Sequence, residues 1–345
     1  MELLIDPEWF ATLPQWGLIL IGTIALITIL KGADLLVEGA SSLARQLGIP
    51  EVIVGATIVS LGTTAPEAAV SVLAAWGDKP GLALGNAVGS VIADTALIFG
   101  FCCLLTQLPA ERSLLNRQGW LQLLSGILLA VLCYGTLWLS PEDPSLGRGS
   151  GILLLGLLIL YMWASVRWGR KARSTNQEEQ EEGSGSTLLD SLRFLVGLSL
   201  VLVFGHVLIS CVEELALRWG ISQLVIASTI VAFGTSLPEL LVSITAIKRG
   251  HVGLLIGNII GADILNVLFV VGASAAASDL PLTNPGSPNP QLFLQVHLPA
   301  MLTVLLVFRL FIFSAIRKGA FQRWQGIPLL MLYLGYIAIN AIWSS

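Results

Sequence analysis

The chain has 345 residues, of which 55% are hydrophobic and only 12% charged, and its formal net charge is −4. A soluble domain carries roughly 25% charged residues, so the composition excludes an ordinary soluble domain, and the lack of a basic excess excludes nucleic acid as a partner. The four cysteines (Cys102, Cys103, Cys133 and Cys211) lie in apolar runs without metal-ligand spacing and read as buried free thiols.

Acidic Glu2, Asp6 and Glu8 precede the first apolar run, where a cleavable signal peptide would need a basic segment. Apolar stretches near the roughly 20 residues needed to cross a bilayer then recur to the end of the chain. They predict ten spans at 15–44, 50–76, 81–106, 116–139, 149–168, 189–217, 221–247, 252–276, 290–314 and 325–343. Between the fifth and sixth lies Lys171 to Ser186, with the run Asn176-Gln177-Glu178-Glu179-Gln180-Glu181-Glu182, a composition that cannot bury a core and reads as a solvated linker. The predicted fold is an all-α polytopic membrane protein with ten transmembrane helices, arranged as one five-helix repeat over 1–170, a linker over 171–187 and a second five-helix repeat over 188–345.

Lys and Arg placement sets the orientation. With both termini outside, fourteen basic residues face the cytoplasm (Arg45, Arg112, Arg117, Arg167, Arg170, Lys171, Arg173, Arg193, Lys248, Arg249, Arg309, Arg317, Lys318, Arg323) and three face outward (Lys79, Arg148, Arg218). The linker is then cytoplasmic. Five spans is an odd number, so the second half enters the membrane from the opposite side.

Shifting the chain by 172 residues aligns Gly48–Gly100 with Gly220–Gly272 without a gap, with 19 identities in 53 positions. Thr57-Ile58-Val59-Ser60-Leu61-Gly62-Thr63-Thr64-Ala65-Pro66-Glu67 falls on Thr229-Ile230-Val231-Ala232-Phe233-Gly234-Thr235-Ser236-Leu237-Pro238-Glu239. Ser71 falls on Ser243, and the Gly85-Asn86 and Gly89 positions fall on Gly257-Asn258 and Gly261. Chance matching of apolar helices works through Leu and Val, not through Gly, Thr, Pro, Glu, Ser and Asn in register. Inverted repeats of this kind build many secondary transporters, with the substrate near the midplane where they meet.

Pro66 has no N–H, so the Gly62 carbonyl loses its helical donor inside a membrane span, where a bound cation can replace it. Glu67 follows at once, although a charge at midplane costs at least roughly 2.5–3.5 kcal/mol on insertion scales. Thr63, Glu67 and Ser71 share one helical face. Asn86, Ser90 and Asp94, spaced by four, form a second wall; their counterparts are Asn258, Ala262 and Asn266. Carboxylates, hydroxyls and carbonyls make an all-oxygen shell for hard cations such as Ca²⁺ and Na⁺, with no soft ligand for Zn²⁺ or Cu⁺. Two glutamates balance one Ca²⁺ or several Na⁺, so the ions compete for the same carboxylates. The bland alternative is that Glu67 and Glu239 merely cap broken helices.

The paired runs resemble the α-repeats of the cation/Ca²⁺ exchanger superfamily, most closely its microbial Na⁺/Ca²⁺ exchanger branch. The resemblance implies a ten-helix fold in which the first and sixth helices slide across a fixed core. It also implies that Glu67 and Glu239 hold Ca²⁺ with the Thr63 and Thr235 carbonyls, and that Thr64, Ser236, Ser71, Ser243, Ser90, Asp94 and Asn266 line the Ca²⁺ and Na⁺ sites. Asn86 and Asn258 join that set from the second wall. Ala262 departs from the usual Ser and removes one hydroxyl. Its neighbour Asp263 is turned about 100° away and is not expected to replace it. The expected activity is Na⁺/Ca²⁺ antiport, with the ions as cargo, no cofactor, the lipid bilayer as surroundings and no obligate protein partner evident. A proton-driven Ca²⁺ exchanger is the nearest rival; its relatives show Gly-Asn-Ala-x-Glu where this chain has Gly-Thr-Thr/Ser-x-Pro-Glu. A cation channel is the next, and no protease-like motif suggests an enzyme.

Among residues outside the motif, Lys31 and Asp34 are expected to form an ion pair, and Glu38, Glu213 and Glu214 to face water on access paths. His206 is expected to find a local partner. Gly85, Gly89, Gly257 and Gly261 fit close helix packing. Trp16, Trp120, Trp138, Trp163, Trp168 and Trp219 sit near span ends as interfacial anchors do.

Overall fold

The computed structural model describes residues 7–77, 79–110, 112–175, 187–219, 232–283 and 291–344. A short α1 (Pro7–Thr12) leads into α2 (Gln15–Leu47), which stops at Gly48. Gly48 has φ 61°, a left-handed conformation open to glycine at little cost, and its N–H and that of Ile49 return to the carbonyls of Arg45 and Ala44. The broken pair α3 (Glu51–Thr63) and α4 (Ala65–Trp76) follows, then α5 (Pro80–Leu105). Next come α6 (Arg112–Leu139), α7 (Arg148–Thr175) and α8 (Thr187–Arg218). The second half continues with α9 (Ala232–Thr235), α10 (Leu237–Lys248), α11 (Val252–Ala277), α12 (Phe293–Lys318) and α13 (Gly326–Ser344).

Among the described residues, seven helices are long and apolar enough to cross a membrane, and α3 with α4 makes an eighth. The predicted span 221–247 is described only from residue 232; its first part, including Thr229-Ile230-Val231 of the repeat, lies outside the described residues, as do linker residues 176–186. The 19-residue α13 occupies the predicted tenth span. The linker needs one correction. Residues 171–175, read as its flexible start, continue α7.

Among the described residues, the segments around the repeated motif adopt matching local structure at position n and its mate n + 172. The turns after α4 and α10 are copies: Gly77 N–H bonds to Leu73 and Lys79 N–H to Ala74, as Arg249 N–H bonds to Thr245 and His251 N–H to Ala246. Strands β1 (Leu108–Pro109) and β3 (Leu280–Pro281) are also mates. β1 pairs antiparallel with β4 (Ala320–Phe321), and β3 with β2 (Ser145–Leu146). Each ladder clips one half of the chain to the other.

The two copies are inverted. α2 and α8 are mates, and they pack antiparallel: Gly22 meets Cys211, Gly32 meets Gly197 and Leu200, and Gly39 meets Phe194 and Asp190. A Cβ on Gly39 or Gly197 would lie within 2.6 Å of backbone, so these glycines hold the helices in close contact. Their ends are stapled as well. Asp190 Oδ2 accepts from Ser42 at 2.5 Å and Gln46 at 2.6 Å, and at the other end Arg218 donates to the Leu13 and Ala11 carbonyls at 2.8 and 3.0 Å.

The centre of the molecule is α11, which is almost wholly buried, followed by α5, whereas most of α7 lies on the outside of the bundle. Gly253, Gly257 and Gly261 let α11 lie against α3: a Cβ at 257 would sit 2.2 Å from the Val52 carbonyl oxygen, and one at 261 would sit 2.5 Å from Ala56 Cα. The packing reading of the glycines therefore holds for Gly257 and Gly261; at Gly85 and Gly89 no described residue comes within 4 Å. All four cysteines are buried and free. Arg309, counted above as a cytoplasmic charge, is instead buried in α12, where it donates to Asn116 at 2.5 Å and lies over the Trp120 ring.

A candidate cation site between two broken helices

α3 ends at Thr63, Thr64 takes φ −82° and ψ −4°, and α4 restarts with Pro66 in its first turn, bent by 44°. The second copy repeats this: α9 ends at Thr235, Ser236 takes φ −87° and ψ 9°, and α10 restarts with Pro238 in its first turn. Neither proline can donate to the carbonyl four residues back, so Gly62 and Gly234 lose their usual helical donor at the break. Glu67 and Glu239 occupy the first turns of α4 and α10. There the positive end of the helix dipole favours a carboxylate.

Both glutamates are 1% exposed, and none of their four carboxylate oxygens has a hydrogen-bond partner. Thr64 Oγ1, Ser236 Oγ, Ser243 Oγ, Asp94 Oδ1 and Asn266 Oδ1 are likewise buried and unpartnered. Such groups are rare in native interiors, because leaving a buried polar atom unpaired costs about 1–3 kcal/mol, and more for a charge. Every one of these nine oxygens belongs to a residue the sequence marks as a candidate ligand.

The two repeats interlock at this point. Glu67 is near enough to interact with the charges of Glu239 and Asp94, and Asp94 with Glu239. Thr63, from the first repeat, lies beside the Glu239 carboxyl and donates to Asn258 Oδ1 at 3.3 Å. Ser236, from the second repeat, lies beside Asp94. Ser71, Ser90 and Asn258 are buried; Thr235 is half-buried. Asn86 braces the first break, its Nδ2 donating to Ser71 Oγ at 2.9 Å and to the Glu67 carbonyl at 3.3 Å. Among the described residues no three His, Cys, Asp or Glu side chains form a metal cluster. The nine oxygens are five from the carboxylates of Glu67, Glu239 and Asp94, three hydroxyls and one amide, an all-oxygen set suited to hard cations.

Two features were not read from the sequence. Asp94 and Asn266 lie in π-helical stretches, Ala93–Phe99 in α5 and Asn266–Val271 in α11. A π-turn widens the helix by one residue and is common at functional sites; here it occurs in both mates, and Gly55–Val59 of α3 is a third case. The second feature is Asp263. It is 1% exposed, and its Oδ2 accepts from Gln122 at 2.5 Å and from Thr95, which ties α11 to α6 and α5. A polar Thr-Asp-Gln set in three apolar helices is visible in the sequence only once the helices are known to touch.

A cavity of about 420 Å³ reaches the site from one end, between α4 and α8. Lys79, Glu213, His206 and Ser210 line it, and Pro66, Thr235 and Pro238 lie at its floor. His206 is thus not satisfied locally as expected, for its Nε2 is buried without a partner. The opposite end is closed by charge. Arg249 binds Asp34 at 3.1 Å and also Glu38, while His251 Nδ1 lies 2.8 Å from Glu51 and 3.0 Å from Ser41. This corrects the expected Lys31–Asp34 pair: the partner of Asp34 is Arg249, whose guanidinium bonds Asp34 and Glu38 at once. Glu214 pairs with Arg218 at 2.7 Å.

The family model for sodium/calcium exchanger proteins matches residues 17–167 and 191–342. The chain is 28% identical over 350 residues to the sodium/calcium exchanger MaX1 of Methanosarcina acetivorans, covering 93% of this chain and 97% of that one. It is 33% identical over 294 residues to the inner membrane protein YrbG of Escherichia coli, covering 83% and 86%. A solved structure of the sodium-calcium exchanger NCX_Mj, soaked with Na⁺ and Sr²⁺, superposes with a TM-score of 0.76 at 30% identity, covering 94% of this chain and 97% of that one. Two inverted halves, a paired Gly-Thr-Thr/Ser-x-Pro-Glu break and matches along almost the whole length agree on one assignment: this multi-pass membrane protein belongs to the sodium/calcium exchanger family.

Proposed function

We propose that this chain is a secondary antiporter that exchanges Ca²⁺ for Na⁺ by alternating access at the site between Glu67 and Glu239. The observation that carries this reading is the set of nine buried, unpartnered oxygens drawn from both repeats. A divalent cation between two glutamates neutralises both charges, and hydroxyls, amides and freed carbonyls complete an oxygen shell of the six to eight ligands Ca²⁺ takes. Na⁺ ions distributed over Thr64, Ser71, Ser90, Asp94 and their mates Ser236, Ser243 and Asn266 compete for the same carboxylates. Exchange follows because the loaded forms neutralise the buried charge, whereas the empty site leaves carboxylates uncompensated in a low-dielectric interior.

The inverted repeat supplies two equivalent routes to one site. On this reading the cavity beside α8 is the open route and the end beside α2, bridged by the Arg249 ion pairs, is the closed one. With both termini outside, the open route faces the exterior and the linker between α7 and α8 is cytoplasmic. Cysteines placed at 178–184 are then expected to react only from the cytoplasmic side, and ones at 140–143 only from outside; the reverse pattern overturns the orientation.

The test of the exchange itself is ⁴⁵Ca²⁺ uptake into proteoliposomes loaded with Na⁺ and diluted into Na⁺-free buffer. Uptake should require the Na⁺ gradient and fail with a proton gradient alone; the converse result assigns proton coupling. A finer expectation concerns Ala262, which is fully buried four residues before Asn266, whose Oδ1 is free. Ala262→Ser restores the hydroxyl that Ser90 supplies in the first repeat. Half-maximal Na⁺ for Ca²⁺ efflux should fall about two- to fivefold, the effect of one added neutral ligand, with Ca²⁺ affinity nearly constant. A shift in Ca²⁺ affinity with an unmoved Na⁺ curve places Ala262 away from any Na⁺ site.

A further inference from the structure

We propose that Lys79 and Glu213 form the second gate of this protein, an ion pair that closes the present cavity when the opposite end opens. The proposal rests on the alternating-access reading above. It starts from the clamp that closes the other end. There the helix pair α2–α8 contributes acids, Asp34 and Glu38, and the core turn after α10 contributes bases, Arg249 and His251. Ser41 completes that contact, donating to Glu51 at 2.6 Å.

The repeat mates of these residues are His206 for Asp34, Ser210 for Glu38, Glu213 for Ser41, Gly77 for Arg249 and Lys79 for His251. All five line the cavity. The backbone supports the equivalence. The turn carrying Lys79 makes the same two hydrogen bonds as the turn carrying His251, and Lys79 (φ −118°, ψ 57°) and His251 (φ −91°, ψ 52°) both precede the next helix in similar conformations. At both ends the α2–α8 pair carries an acid and the core a base; at the clamped end the core adds an acid of its own, Glu51, which lies 2.8 Å from His251. Among the described residues Lys79 and Glu213 take part in no ion pair in this state, while neighbouring Glu214 is already held by Arg218.

Packing shows the same asymmetry. At the clamped end Ile29, Ala33 and Val201 pack on Leu241 of α10. At the open end Gly205, the mate of Ala33, lines the cavity instead. Cavity-lining Leu73 is 50% exposed and its mate Thr245 only 4%, and cavity-lining Val70 has a fully buried mate, Val242. α2 and α8 are stapled to each other at both ends, so one displacement of the pair along the core breaks the Arg249 clamp and brings Glu213 to Lys79.

The test uses the full chain in vesicles, with Cys211 replaced by Ala, Lys79→Cys and Glu213→Cys, and Val242→Cys as a reporter. Oxidation under ionic conditions that permit turnover should join positions 79 and 213, which demands Cα atoms within about 7 Å of each other. The joined protein should label at Val242→Cys at least about tenfold faster from the Arg249 end, and reduction should reverse this, as expected for a shifted two-state equilibrium. Absence of the cross-link, or a cross-link with Val242→Cys still unreactive, overturns the gate. Charge exchange gives an independent reading. Lys79→Glu should slow turnover about tenfold, and adding Glu213→Lys should restore it to within about threefold, the signature of a coupled pair; no rescue overturns the pairing. Cross-linking and labelling need no ion gradient. A failure of Na⁺-driven Ca²⁺ flux in the unmodified protein therefore overturns the exchange reading and is read separately from the gate.

Discussion

Glu67→Gln and Glu239→Gln are each expected to lower Ca²⁺ transport by at least about a hundredfold while leaving a folded, monodisperse protein. Two unit charges about 4 Å apart interact by roughly 4 kcal/mol at an effective dielectric of 20, and Ca²⁺ carries two charges. Losing one carboxylate therefore removes more than the roughly 2.7 kcal/mol that a hundredfold change requires. Folding has the opposite sensitivity. Each glutamate is a buried group without a hydrogen-bond partner, so the neutral amide relieves desolvation and should not weaken the fold. Glutamine keeps the size and one oxygen, which makes it a test of charge and not of packing. Wild-type flux in either variant at matched expression would sink the assignment of the site.

Gly261→Leu should do the reverse, removing the folded protein altogether. A Cβ at this position meets Ala56 Cα at 2.5 Å, the Ala56 carbonyl oxygen at 2.6 Å and Ser60 Oγ at 2.6 Å. Backbone cannot rotate away as a side chain can, so α3 and α11 must separate, and they carry Thr63 and Asn258 of the site. Overpacking in an ordinary core costs about 1–3 kcal/mol; separating two central helices costs more. Gly156→Leu is the control, because no described residue lies within 4 Å of a Cβ there. Size-exclusion profiles in detergent should show a lost or aggregated peak for Gly261→Leu and a normal one for Gly156→Leu. A normal profile for both would contradict the close approach of α3 and α11.

Much of this architecture is legible in the residues themselves. Apolar runs place the spans because the bilayer demands continuous hydrophobic length, and the described helix ends fall within a few residues of the run ends except for α7, which runs on to Thr175. The helix breaks are legible for a local reason: Pro66 and Pro238 remove a donor, whatever surrounds them. The candidate ligands are legible through repetition, since Thr, Glu, Ser and Asn recur in register inside membrane spans. Less of the tertiary chemistry can be read this way. Asp34 sits three residues from Lys31, which suggests a local pair, but its partner Arg249 lies 215 residues away and meets it only because α2 packs along α10. His206 sits on the cavity side of α8, and no local pattern tells a cavity from lipid. The π-turns at Asp94 and Asn266 leave the apolar period almost unchanged, so they pass unseen. Residues 171–175 look like linker by charge, yet the same charges suit a helix C-terminus.

The central claim is that the oxygens of both repeats form one site for which Ca²⁺ and Na⁺ compete. Equilibrium ⁴⁵Ca²⁺ binding to the purified protein, titrated with Na⁺ and with choline at matched ionic strength, tests it most directly. Saturable Ca²⁺ binding that Na⁺ displaces and choline does not, and that disappears in Glu67→Gln and in Glu239→Gln alike, is the predicted result. Ca²⁺ binding indifferent to Na⁺, or retained in either single variant, would contradict a shared site.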